Sequence, residues 1–160
     1  MFNYAIIIAS DTRSKGENKD LCADKIKSIL KDSDYNLVYQ NIIADEIEDL
    51  KAELIALSDE KKVNLIITSG GTGLAKRDVT PDATLAVIDR QVPGISMAMA
   101  LASREKTPMW MLSRAVSGIR KETLIINLPG SPKAVEECLQ AVLPGLYHGL
   151  EIINRIVKQH

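Results

Sequence analysis

Three glycines in four residues, Gly70, Gly71 and Gly73, break the chain directly after the apolar run from Val63 to Thr68. Glycine at such a point lets the backbone approach a ligand closely and turn its N–H groups toward oxyanions. With Ser69 and Thr72 this is the make-up of a phosphate cradle, although a tight strand-to-helix turn that merely needs glycine would have the same composition. Lys76, Arg77, Asp78 and Thr80 follow in the same loop, ahead of a helix N-terminus that itself favours anions. Lys76 and Arg77 are balanced by Asp78 and Asp82, and a locally neutral loop suits a metal-chelated phosphate better than a bare one, because Mg²⁺ binds through one or two carboxylates plus phosphate oxygens. Asp78 is therefore the first candidate for a metal-related role. Against it stands the ordinary habit of a turn aspartate, which orders its own loop. The spacing fits neither G-x-G-x-x-G nor G-x-x-x-x-G-K-[ST], so the common dinucleotide and P-loop readings fail.

These residues need a frame, and the hydropathy pattern supplies one. Apolar, β-branched runs alternate with helical periodicities, which predicts an α/β fold in three layers: a mainly parallel sheet with helices on both faces. Tyr4 to Ala9, Leu37 to Ile43, Val63 to Thr68 and Thr123 to Leu128 read as strands. Asp20 is placed to cap a first helix carrying Cys22, Ile26, Ile29 and Leu30 on one face. Asp45 and Glu48 form a D-x-x-E capping box before a helix whose buried stripe reads Ile47, Leu50, Leu54 and Leu57. Thr80-Pro81 and Ser131-Pro132 both look like N-cap and N1 of a helix, Pro93-Gly94 separates two more helices, and Met109 to Leu112 is ambiguous. Pro144-Gly145 is expected to split the C-terminal segment into two helices. With 160 residues and no composition shift, a single domain over 1–160 is expected.

In open parallel sheets, ligands bind beyond the carboxyl ends of the strands, and three polar or glycine-rich loops leave such ends: residues 10–20, 69–81 and 129–133. Asp11 and Asp20 can reach that crevice from the first loop. Arg114, Arg120, Lys121 and Lys133, against Glu122, would steer a polyanion if several of them faced one pocket. For Asp45 the cap explains the residue without any function, so both readings stand. Trp110 and the methionines at 97, 99, 109 and 111 read as packing or subunit contacts.

Composition removes whole classes. Lys plus Arg is 20 against Asp plus Glu 21, a net charge of −1, so no global field draws in nucleic acid or an anionic membrane. No apolar stretch approaches the roughly 20 residues a bilayer span requires, and no secretion signal is visible. Two widely separated cysteines, Cys22 and Cys138, read as reduced thiols of a cytoplasmic protein. With only His148 and His160, a Ser-His-Asp mechanism or a His/Cys zinc site is excluded as the working expectation. Chemistry has to run on oxygen ligands, backbone amides, Lys and Arg.

Ile67-Thr68-Ser69-Gly70-Gly71-Thr72-Gly73, then Arg77-Asp78-Val79-Thr80-Pro81-Asp82-Ala83-Thr84, then Leu128-Pro129-Gly130-Ser131-Pro132-Lys133 resemble, in order and spacing, the MogA/MoaB family of molybdenum cofactor biosynthesis proteins, and within it the MogA type. The resemblance covers essentially the whole chain. It implies a molybdopterin-binding-like domain in a cytoplasmic homotrimer. The implied reaction is Mg²⁺-dependent transfer of AMP from ATP to molybdopterin, with the product passed to a molybdenum-insertion enzyme. A non-catalytic module that holds molybdopterin or nucleotide is the alternative. Residue by residue, Asp45 and Asp78 match the family's essential carboxylates and metal ligands. Ser69, Gly70, Gly71, Thr72, Gly73, Pro129, Gly130, Ser131 and Lys133 match its nucleotide and phosphate side. Ser10, Asp11, Ser14, Asp20, Ser113, Arg114 and Ser117 match its molybdopterin side. One departure is Cys22, where similar proteins carry glycine.

Overall fold

A computed structural model describes residues 1–11, 20–32 and 34–155. Six strands form one sheet in the order β2-β1-β3-β6-β5-β4, with β1 Phe2–Ala9, β2 Tyr35–Ile43, β3 Leu65–Ser69, β4 Arg90–Gln91, β5 Ser117–Arg120 and β6 Thr123–Leu128. The pairs β1–β2, β1–β3 and β3–β6 are parallel, whereas β5–β6 and β4–β5 are antiparallel. The expected three-layer, mainly parallel architecture is present. β4 and β5 had no sequence signal, because β4 is two residues long and Ser117-Gly118-Ile119-Arg120 lacks an apolar run.

Period-two alternation divides the interior into two layers. Tyr4, Ile6, Ile8, Leu65, Ile67, Leu124 and Ile126 pack on one side against α1 (Leu21–Ile29), α4 (Pro93–Arg104) and α5 (Pro132–Ile153). Ala5, Ile7, Ala9, Ile66 and Ile125 face the other way, onto α2 (Ile47–Ile55) and α3 (Thr80–Val87). Strands buried on both faces explain why β1, β3 and β6 are continuously apolar.

Several local expectations change. α5 runs unbroken through Pro144. Proline removes one N–H and crowds the carbonyl four residues back, but Pro144 and Gly145 lie on the exposed side, where water can take up that carbonyl. The buried stripe Val135, Cys138, Leu139, Val142, Leu146 and Leu150 holds both halves in one line. α2 starts at Ile47 after Glu46, with no side-chain cap, and Ile47 is exposed, so neither the Asp45 capping box nor that end of the stripe forms. α3 begins at Thr80, whose buried hydroxyl caps nothing, while Pro93 opens α4 rather than closing the helix before it. Pro108–Leu112 forms a 3₁₀ turn. Two caps stand as read: Asp20 Oδ1 accepts from the N–H groups of Cys22 and Ala23, and Ser131 Oγ accepts from Ala134 N–H. Cys22 and Cys138 are both free and buried.

Candidate active site

The parallel strands end along one edge at Ala9, Ile43, Ser69 and Leu128, and this edge gathers the loops. Gly70 N–H donates to Leu128 O at 3.1 Å, Ser69 Oγ to Pro129 O at 2.7 Å, and Ser10 N–H to Ile43 O at 2.9 Å. Gly70 and Gly71 are left-handed, at φ 95° and 67°. A Cβ on Gly70 would run into the Ala9 carbonyl, and one on Gly71 would sit 2.5 Å from Thr80 Oγ1 and 3.2 Å from Asp45 Oδ1. Glycine is thus required by both conformation and space.

Asp45 stands beside this turn. Its Oδ2 accepts from Asp11 N–H at 3.1 Å, and its own N–H donates to Asp11 Oδ1 at 2.9 Å. Asp45 Oδ1 and Thr80 Oγ1 are buried without a hydrogen-bond partner. Burial pushes the Asp45 carboxyl above its ordinary range against the Asp11 N–H that lowers it, the negative charges of Asp11 and Asp78 push it further, and Arg77 opposes them. Asp78 Oδ2 accepts from Ala75 N–H at 3.1 Å and lies 2.8 Å from where a Cβ on Gly73 would be. Asp78 therefore does order its own loop, and in doing so it presents a carboxylate to the glycine turn.

Arg114 behaves differently from its expected role. Its N–H donates to Thr72 O, its Nε to Gly73 O and its Nη2 to Asp78 O, and the guanidinium also pairs with Asp82 at 2.9 Å. Arg114 is the strut of the glycine loop, and its hydrogen bond holds Asp82 below the usual carboxylate range. The anticipated basic patch breaks up. Arg120 and Lys121 both pair with Asp59 at the far end of β6, and that six-residue strand places them about 20 Å from the cradle. Among the described residues beside the turn, Asp11 and Glu46 are paired with Arg77 and Asp82 with Arg114, while Asp45 and Asp78 have no cationic partner within ion-pair distance.

A mostly apolar cavity of about 310 Å³ opens beside the turn. Thr72, Gly73, Ser113 and Pro129 contribute to its wall, as do Met99, Trp110, Asn127 and Cys138. Burial raises the Cys138 thiol against a weak bond to Ser103 Oγ. Ser117 is buried but does not line the cavity; its hydroxyl meets Ser96 Oγ at 2.9 Å. Asp20 caps α1 through Oδ1 while its Oδ2 is buried without a hydrogen-bond partner, Ser131 is occupied as a cap, Lys133 is exposed on the first turn of α5, and Ser14 lies outside the described residues. Cys22 Sγ donates to Gly130 O at 3.5 Å, so the side chain standing where similar proteins have glycine ties α1 to the third loop. Asn127 is a buried polar residue of the cavity wall that sequence reasoning missed. Its amide donates to Thr68 Oγ1 and Thr84 Oγ1, its Oδ1 accepts from Val116 N–H, and it knits β6, β3 and α3 beneath the cavity. A lone Asn inside the apolar strand Thr123–Leu128 was the available signal. Among the described residues no group of three or more His, Cys, Asp or Glu side chains could hold a metal without help from a ligand.

Residues 5–148 match the family described as probable molybdopterin binding domain. A molybdopterin adenylyltransferase from Helicobacter pylori (strain ATCC 700392 / 26695) is 41% identical over 153 residues, which cover 94% of this chain and 87% of that protein. The crystal structure of the molybdopterin biosynthesis enzyme MoaB from Thermus thermophilus superposes with a TM-score of 0.92 at 42% identity, covering 97% of this chain and 98% of that one. A MogA structure superposes with a TM-score of 0.89 at 36% identity, covering 94% and 99%.

Proposed function

The chain belongs to the MogA/MoaB family of probable molybdopterin binding domains, and from that premise we propose that it is a molybdopterin adenylyltransferase, with residues 1–160 forming one molybdopterin-binding-like domain. A terminal phosphate oxygen of molybdopterin attacks the α-phosphorus of ATP. The Pα–O–Pβ bond breaks, and adenylyl-molybdopterin and pyrophosphate result. The nucleophile is already ionised at neutral pH, so no general base is needed, which is consistent with a site that presents no histidine. Catalysis is then positioning and charge neutralisation.

The observation that carries this reading is the left-handed Gly70-Gly71 turn with two unpartnered buried oxygens, Asp45 Oδ1 and Thr80 Oγ1, against it. Hard oxygen donors on Asp45 and Asp78 fit Mg²⁺, which prefers few protein ligands and completes its shell with phosphate oxygens and water. Asp45 and Asp78 would hold the ion, and it would neutralise charge building on the phosphates. The N–H groups of Gly71, Thr72 and Gly73, with Ser69, Gly70, Pro129, Gly130, Ser131 and Lys133, form the nucleotide side, while Ser10, Ser113 and the cavity wall receive the pterin. Arg114 and Ser117 support these surfaces rather than touch the substrate, and Asp20 keeps its unpartnered Oδ2 for the pterin side. The protein is read as cytoplasmic, and its product goes on to a molybdenum-insertion enzyme.

Incubation with ATP, Mg²⁺ and molybdopterin should release pyrophosphate, and omission of molybdopterin should stop it. Release that does not depend on molybdopterin, or none at all, would leave the non-catalytic binding module as the better reading. Asp78→Asn should lower transfer by about 10²-fold or more while the fold is retained, on the scale seen when a group that orients or stabilises the reacting charge is lost. Transfer at the wild-type rate in that variant refutes the role of Asp78.

A further inference from the structure

The two oxygens of Asp45 have different fates, and the cause can be traced outward. Oδ2 and the Asp45 N–H close a ring with the N–H and Oδ1 of Asp11, which fixes the carboxylate plane and turns Oδ1 toward Gly71. Arg77 grips Asp11 in turn. Its Nε reaches Oδ2 at 3.1 Å, its Nη2 reaches both Asp11 oxygens at 3.0 Å, and its Nη1 pairs with Glu46 at 3.0 Å. One guanidinium therefore joins the glycine loop, the end of β1 and the residue that precedes α2. In the sequence Arg77 reads as a cation waiting for phosphate; in the fold each of its three guanidinium nitrogens already faces a carboxylate.

The geometry points to Arg77 as a positioning residue: through Asp11 it holds the Asp45 carboxylate with Oδ1 turned into the cradle. It acts by the shape of its planar fork, which spans both Asp11 oxygens and Glu46 at once, and a lysine ammonium cannot reproduce that span. Asp11 then belongs to the support of the site and not to the pterin contacts, since both of its oxygens are engaged. The inference rests on the functional assignment of Asp45 above. Displacement of a reacting group by about 1 Å can lower the rate by about 10²-fold, so a support at this distance has a measurable consequence.

The test uses the full chain with Arg77→Gln, Arg77→Lys, Asp11→Asn and the double variant Arg77→Gln/Asp11→Asn. AMP transfer kinetics are measured together with amide deuterium uptake at residues 10–11 and 44–46. Both Arg77 variants should lower kcat by about tenfold or more with KM for ATP changed by less than about threefold, and both should raise uptake at the Asp11 and Asp45 amides. Adding Arg77→Gln to Asp11→Asn should reduce kcat little further, because the two residues act in one chain. Wild-type kcat in Arg77→Lys, or an Arg77→Gln factor as large in the Asp11→Asn background as in wild type, overturns the proposal. If the wild-type protein makes no adenylyl-molybdopterin, the functional reading fails separately. Deuterium uptake then decides the positioning claim: a rise at Asp45 in Arg77→Gln sustains it, and unchanged uptake overturns it.

Discussion

At the scale of single residues, the candidate site holds a carboxylate oxygen without a partner. A buried carboxylate oxygen without a partner normally lowers stability, and Asp45 Oδ1 is one, sealed beside Gly71. Asp45→Asn should raise Tm while it lowers transfer. The amide keeps an acceptor for Asp11 N–H and offers a donor toward Thr80 Oγ1. The gain should depend on pH. Folding raises the Asp45 pKa, so between its unfolded and folded values the native state binds the extra proton, and the wild type loses stability as pH rises through that window. The Tm advantage of Asp45→Asn should grow between pH 4 and pH 7, as checked by thermal melts at both. A constant or shrinking difference would show that burial does not disfavour the charged form. The glycine turn was legible in the sequence because spacing alone states what it needs, and so was the habit of a turn aspartate, which Asp78 follows by ordering its own loop. Arg77 and Arg114 were not, because whether a cation is free for a ligand or already engaged depends on carboxylates distant in the chain, Asp11 and Asp82.

Helices and strands were read well where periodicity was strong and badly where one residue seemed decisive. β1, β3 and β6 followed from their apolar runs. At Pro144 local stiffness predicts a break, yet the continuous stripe from Val135 to Leu150 against the sheet outweighs one lost hydrogen bond. Pro144→Ala should therefore add stability by about 1 kcal/mol, raising Tm by roughly 2–4 °C, with AMP transfer unchanged. A fall in Tm would mean that the proline contributes more by restricting the unfolded chain than it loses in the helix. The Asp45 capping box failed for the converse reason. Its spacing was correct, but Asp11 offered the Asp45 side chain a main-chain N–H that the helix did not.

At the scale of the whole molecule, apolar surface is left over. On α4 and the 3₁₀ turn that follows it, Met97, Leu101, Met109, Met111 and Leu112 are all exposed. A homotrimer using this face is the expected assembly, and sedimentation equilibrium should give about three chain masses at micromolar concentration, with Met97→Lys/Met111→Lys shifting it to the monomer. A wild-type monomer would refute it. None of the described helices is long and apolar enough to cross a membrane. By itself the sequence determined the layer architecture, the glycine cradle and the chemistry open to a chain with two histidines and no net basic field, since periodicity, backbone freedom and side-chain inventory are local properties. Only the tertiary structure decided which charges meet. Arg120 and Lys121 left the site for Asp59, Arg77 and Arg114 became supports, and Asp45 gave up a helix cap for the cradle, because electrostatic partners are fixed by distance in space, which sequence spacing does not encode.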